Sequence, residues 1–162
     1  MLAAMAYSGL GAGVAARSVL GGSGGTARDW IPVLEDVPLF AGVSRRHLKW
    51  IAELAKPKRF PAGAAIVRAG DPGTAFYVIV DGGARVTPPR GRASKLQAGD
   101  SFGEMALLDG APRSADVTAT SDLLALSIGS SAFAKLLRRD PQLSLALLRT
   151  LAGRLREAQR SL

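Results

Sequence analysis

The sequence contains no cysteine and a single histidine. The first absence excludes a disulfide scaffold, a zinc finger, an iron–sulfur site and a thiol nucleophile. The second leaves His47 as the one imidazole, too few for the two- and three-histidine metal sites of many small β-barrel enzymes. His47 is also the one candidate base for a Ser-His-Asp triad. No run of five or six basic residues occurs, such as nucleic-acid tails carry. No stretch reaches the roughly 20 strongly apolar residues of a transmembrane helix. Residues 1–16 carry no charged side chain, so the basic start of a signal peptide is missing, and the expected location is cytoplasmic.

What is present fits one domain and a tail. The chain has 162 residues, 48% apolar and 21% charged, enough to bury a core. Its net charge is +8 and its isoelectric point near 10.8. The positive charge is spread over the presumed globular part. That distribution fits a soluble domain with an arginine-biased surface. An acidic partner, either nucleic acid or an anionic membrane surface, is the alternative.

Residues 1–29 are rich in Ala, Gly and Ser and poor in large side chains, so they read as a flexible leader with Gly21 to Gly25 as its hinge. Gly11-Ala12-Gly13-Val14-Ala15-Ala16 matches a GxGxxA pattern, but no strand precedes it to aim amides at a pyrophosphate. From Trp30 the texture changes. Trp30, Ile31, Leu34 and Val37 have helical spacing up to Pro38, and Ser44 can cap a second helix with apolar face Leu48, Ile51, Ala52 and Ala55. Pro57 is expected to stop it. His47 lies there among Arg45, Arg46 and Lys49, in a solvated or structural role.

Between residues 58 and 128 the period shortens to two. Glycine turns punctuate the apolar runs 65–67, 76–80, 84–86, 117–119 and 123–128. This predicts an antiparallel β-roll or jelly-roll barrel, giving an α+β, mainly β fold with short N-terminal helices. Helices return over 131–162. Phe133, Leu136 and Leu137 share one face, and Asp140 with Pro141 starts a final helix. Its apolar seam, Leu148, Leu151, Leu155, Ala158 and Leu162, could pack on a partner helix or cover the barrel as a lid.

One stretch is out of place in a plain β-barrel: Phe102 to Ala115, FGEMALLDGAPRSA. It predicts a short helix starting near Gly103, whose free amides suit one phosphate. Arg113 can add a bidentate, charge-assisted bond to the same phosphate. Glu104 repels a phosphate unless the ligand also offers a hydroxyl donor close by. A sugar phosphate with a free hydroxyl satisfies all three residues.

The stretch resembles the phosphate-binding cassette of the cyclic nucleotide-binding domain family. It matches the pattern F-G-E-x-A-L-x(4)-P-R-x-A at Phe102, Gly103, Glu104, Ala106, Leu107, Pro112, Arg113 and Ala115. Leu39-Phe40, Pro61-Ala62-Gly63, and Gly70-Asp71-Pro72-Gly73 followed by Phe76-Tyr77-Val78-Ile79 are similar to further family turns and strands, so the likeness covers about residues 35–160. The resemblance implies a non-catalytic sensor without metal or cofactor, whose ligand is cyclic AMP, with cyclic GMP the alternative. Glu104 would accept from the ribose 2′-hydroxyl and Arg113 would pair with the cyclic phosphate. Gly103, Met105, Ala106, Ser114 and Ala115 would complete the pocket. Ser114 stands where members favouring cyclic GMP often carry threonine. The C-terminal helix would close over the base, with Arg154 stacking on the purine, or Leu151 and Leu155 in its place.

Other readings stand beside this one. Glu104 and Arg113 could simply pair with each other, and Arg154 could be a solvated surface residue. A ligand-free roll could serve as a basic nucleic-acid module or as a homodimer or effector-docking unit through the C-terminal helix. Of these partners, nucleic acid is not the expected one. An enzyme comes last, since a barrel whose one histidine sits on an outer helix offers little chemistry.

Overall fold

The structure, a computed structural model, describes residues 25–160. Helix α1 (Ala27–Glu35) opens it, followed by a 3-10 turn (Pro38–Phe40) and α2 (Arg45–Leu54). α1 begins before the leader boundary at residue 29 that composition suggested. Asp29 is the reason: its carboxylate accepts from the Thr26 amide at 2.7 Å and the Thr26 hydroxyl at 2.9 Å, which fixes the first turn. The rest of the leader, up to residue 24, lies outside the described residues. α2 starts at Ser44 as expected, with the hydroxyl accepting from the His47 amide at 3.3 Å.

Eight strands follow: β1 (Lys56–Phe60), β2 (Ala65–Val67), β3 (Ala75–Asp81), β4 (Gly83–Thr87), β5 (Ser94–Gln97), β6 (Ser101–Phe102), β7 (Asp116–Ala119) and β8 (Leu123–Gly129). They form two four-stranded sheets in the orders β1-β8-β3-β6 and β2-β7-β4-β5, with every pairing antiparallel. Pro57, expected as a helix stop, lies within β1, an edge strand where a missing amide donor is tolerated. The helix ends earlier, at Leu54.

β3 and β8 are buried on both faces, which is why their sequences read as unbroken apolar runs rather than alternating ones. Tyr77, Ile79, Leu123 and Ala125 face the interior of the roll, together with Ala84, Val86, Leu96 and Val117 of the opposite sheet. Phe76, Val78, Val80, Leu124, Leu126 and Ile128 point the other way, into a second core shared with the helices. Phe40 sits in that core edge-on to Phe76, ring centroids 5.9 Å apart. Gly82 turns the chain from β3 into β4 at φ +91°, where any Cβ would run into the Asp122 carbonyl.

The cassette helix α3 (Glu104–Leu108) leaves the second residue after β6. Helices α4 (Ser130–Arg139) and α5 (Pro141–Arg160) close the chain. Asp140 caps α5 as expected, accepting from the Gln142 and Leu143 amides at 3.0 and 3.3 Å. Of the apolar seam expected on α5, Leu151 packs on the core while Leu148 and Leu155 face outward. Leu143 and Leu147 are the buried residues, with Ala146 and Leu151 packed beside them, whereas Leu148 and Leu155 are 62% and 55% exposed. Within the chain the helix docks by the face of Leu143, Leu147 and Leu151, and Thr150 fixes it there by donating to the Ala41 carbonyl at 2.8 Å. Leu162 lies outside the described residues. No helix among the described residues is long and apolar enough to cross a membrane.

Candidate functional site

The site begins where β6 stops. Phe102 pairs with Tyr77 across the sheet and stacks on its ring, centroids 5.1 Å apart and planes within 17°. Gly103 then takes φ +80°, a conformation that side chains other than glycine rarely hold. A Cβ there would strike the Arg113 Nη1 atom and come within 3.0 Å of the Ala75 carbonyl oxygen. The glycine therefore does two things. It bends the chain into α3, and it makes room for a guanidinium against the backbone.

Arg113 is held by the loop before β3, which the sequence marked as a turn but not as its support. The Gly70 amide donates to the Arg113 carbonyl and the Arg113 amide to the Asp71 carbonyl, each at 2.8 Å. The Asp116 carboxylate accepts from the Ala69 amide at 2.7 Å and ties down the same loop. The side chain then donates from Nη2 to the Ala75 carbonyl at 2.5 Å, with its carbon 6.0 Å from the Tyr77 ring centre. Nε and Nη1 are shut off from solvent and have no hydrogen-bond partner among the described residues. Burial lowers the guanidinium pKa from its ordinary value, and Tyr77 acts weakly in the opposite sense. A desolvated cation with two unused donors is an anion receptor by its chemistry.

Glu104, in the first turn of α3, faces α5. Its carboxylate accepts from Arg154 Nη1 at 3.2 Å, and the two side chains are 18% and 13% exposed. Burial pushes the Glu104 carboxyl above its usual range, and the attraction and hydrogen bond of Arg154 only partly offset that. The pairing of Glu104 with Arg113, open on the sequence, is not what forms: Glu104 takes Arg154, and Arg113 takes a backbone carbonyl. Nor is Arg154 a solvated surface residue.

The structure thus brings Gly103, Glu104, Arg113 and Arg154 together. Ser114, beside Arg113, is exposed, and Ala115 is buried in the roll interior. The backbone of Met105 and Ala106 belongs to α3, but their side chains lie outside what is described. Leu151 packs against the core while Leu155 points outward. Sequence reasoning missed Tyr77 and the Ala75 carbonyl as the seat of the arginine. A signal existed, since Tyr77 is the one polar-tipped ring in a buried strand.

A β-roll whose glycine-bent short helix and buried arginine form an anion receptor, with a C-terminal helix paired to that short helix through Arg154 and Glu104, defines a class of anion-binding roll. The comparisons agree. The sequence profile of the cyclic nucleotide-binding domain matches residues 57–140, more than half the chain, and the chain belongs to that family. It is 36% identical over 104 residues to a cAMP-dependent protein kinase regulatory subunit of Hypocrea atroviridis, covering 64% of this chain and 22% of that protein. The N-terminal domain of a transcriptional regulator from Streptomyces coelicolor superposes with a TM-score of 0.72 at 29% identity, covering 80% of this chain and 94% of that one. The regulatory domain of Toxoplasma gondii PKA, co-crystallised with cAMP, gives 0.67 at 27% identity, covering 81% and 50%. The chain spans about a fifth of the length of the kinase subunit it matches.

Proposed function

We propose that this domain is a non-catalytic sensor that binds cyclic AMP in preference to cyclic GMP and closes α5 over it. The observation that carries the reading is Arg113, a buried guanidinium seated on backbone, with Nε and Nη1 unpaired beside a glycine that can have no side chain. The cyclic phosphate takes those two donors, with the amides of residues 103–106 and Ser114 around it. The ribose 2′-hydroxyl donates to Glu104. Arg154, paired with Glu104 in the free domain, would cap the purine, stacking by its cation. Preference for cyclic AMP rests on Ser114 in the position after the arginine and on the cAMP held by the Toxoplasma relative. The outward face of α5, with Leu148 and Leu155 exposed, is where a second copy or an effector protein would read the closure.

Calorimetric titration with cyclic AMP and cyclic GMP, on the wild type and Arg113→Ala, tests this. Micromolar binding, about −8 kcal/mol, is expected for wild type with cyclic AMP and none in range for the variant. Equal binding by both proteins, or by neither, refutes it.

A further inference from the structure

The chain's one histidine is not a spectator on an outer helix. His47 is 8% exposed, and its Nε2 lies 2.9 Å from Asp140 Oδ2, across 93 residues of sequence. The other oxygen of Asp140 accepts from the first amides of α5, at Gln142 and Leu143. One carboxylate therefore ties α2 to the point where the helix carrying Arg154 begins. We propose that His47 is a positioning residue for ligand binding: through Asp140 it anchors the N-terminus of α5, and protonation of its ring tightens that anchor and raises ligand affinity. The part concerning affinity rests on the cyclic nucleotide reading above.

The bond gives the sign for the anchor, and affinity follows it because closure, on the reading above, holds α5 more tightly than the free state does. A neutral imidazole protonated on Nε2 donates one ordinary hydrogen bond to Asp140. An imidazolium makes the same bond charge-assisted and stronger. Asp140, for its part, is a fixed anion. Hydrogen bonds from Leu143, His47 and Gln142 together outweigh its desolvation and hold its carboxyl below the ordinary aspartate value. The opposing groups are on the same side of the balance sheet as the helix itself. His47 sits in the first turn of α2, whose dipole disfavours a cation, with Arg45, Arg46 and Lys49 nearby. Arg46 is drawn over the Trp50 ring at 5.0 Å, Trp50 also touching the His47 ring at 5.2 Å. Arg45 is spoken for by Glu35 of α1 at 3.1 Å. Of the other elements packed against α2, β8 brings no charged side chain, α1 brings Arg28 and Asp29, and α4 brings Lys135, Arg138 and Arg139. Among these, Asp140 is the carboxylate bonded to the ring, so it decides the direction.

The test has one arm with ligand and one without. Cyclic AMP titrations at constant ionic strength between pH 8 and pH 6 should show affinity rising about fivefold in wild type relative to His47→Gln. Glutamine keeps a donor toward Asp140 but cannot take up a proton, so the difference between the two proteins removes contributions from Glu104 and other groups. A merely structural role predicts parallel profiles, which would overturn the proposal. In the ligand-free arm, hydrogen-exchange protection of the amides in the first turns of α5 should rise over the same pH range in wild type and stay flat in His47→Gln. The lone imidazole resonance in proton NMR reports the titration without assignment. If wild type binds no cyclic nucleotide, the proposed function fails by itself, and the exchange arm still decides the anchor. Identical protection in the two proteins would refute it.

Discussion

Arg113 allows the sharpest test, because its cost and its use fall in different states of the protein. In the ligand-free domain it makes one charged hydrogen bond, to the Ala75 carbonyl, while Nε and Nη1 stay buried without partners. A charged hydrogen bond stabilises by about 1.5–3 kcal/mol, and an unsatisfied buried donor costs about 1–3 kcal/mol. Two such donors offset the one bond. Arg113→Met keeps most of the volume and removes both effects, so its unfolding free energy without ligand should match wild type or exceed it by up to about 2 kcal/mol. Ligand binding should go the other way, weakening by about 2–5 kcal/mol, or roughly 30- to 4,000-fold. Urea unfolding with and without cyclic AMP reads both. At a hundred times the wild-type dissociation constant, ligand should stabilise wild type by about 2.7 kcal/mol and the variant by no more than about 0.9 kcal/mol. If Arg113→Met instead loses more than about 2 kcal/mol without ligand, the guanidinium is a structural strut and the argument from unpaired donors is wrong.

Gly103→Ala should lose about 1–2 kcal/mol of stability from its positive φ, and because the new methyl displaces Arg113, calorimetry should show ligand affinity falling at least about tenfold. On α5, Leu147→Ala should cost about 2–5 kcal/mol in urea unfolding and Leu148→Ala less than about 0.5 kcal/mol; a larger loss at Leu148 than at Leu147 would mean the helix docks by the other face. Burial raises the Glu104 carboxyl above its ordinary 4.5, so the ionised form is the one the fold disfavours, and that penalty appears as pH rises through the raised value. On the proposed function the ligand hydroxyl needs the ionised form, so affinity should fall on acidification sooner than it would with an ordinary carboxylate, a limb that Glu104→Gln removes; calorimetry on both proteins as the pH is lowered from neutrality checks it.

Much of this was legible in the sequence because the signals were local. Asp140 before Pro141, Ser44 before α2 and the glycine-bounded apolar runs each act within a few residues, and each formed where expected. The strands that were missed are those with little apolar content. β5, Ser-Lys-Leu-Gln, turns one side chain inward, Leu96, and β1 is a basic edge strand. The cassette residues were legible because their chemistry is unusual: a carboxylate and an arginine around a glycine. What could not be read was who holds whom. The partners of Arg113 and Glu104 are Ala75, 38 residues away, and Arg154, 50 residues away. For α5, a helix with leucines at 143, 145, 147, 148, 151 and 155 offers more than one apolar face, and tertiary docking chose among them.

Arg113 and Glu104 have different attachments, and this divides their work. Arg113 is fixed to the framework at both ends, its backbone bonded to Gly70 and Asp71 and its side chain to Ala75. None of these groups belongs to α5, so on the proposed function the bonds it makes with a phosphate would be the same whether the helix is open or closed. Such bonds give affinity without coupling, because a ligand moves an equilibrium only by the difference in its affinity for the two states. Glu104 differs in that its carboxylate touches Arg154 on α5. On the proposed function, a hydroxyl that donates to Glu104 alters a polar contact between cassette and α5, and its free energy depends on where α5 lies. On the proposed function, substitutions at Arg113 therefore abolish binding, whereas substitutions at Glu104 and Arg154 reduce the response of α5 more than they reduce occupancy. Hydrogen exchange of α5 at saturating ligand separates the two, and a Glu104→Gln protein that still closes fully when saturated would refute the division.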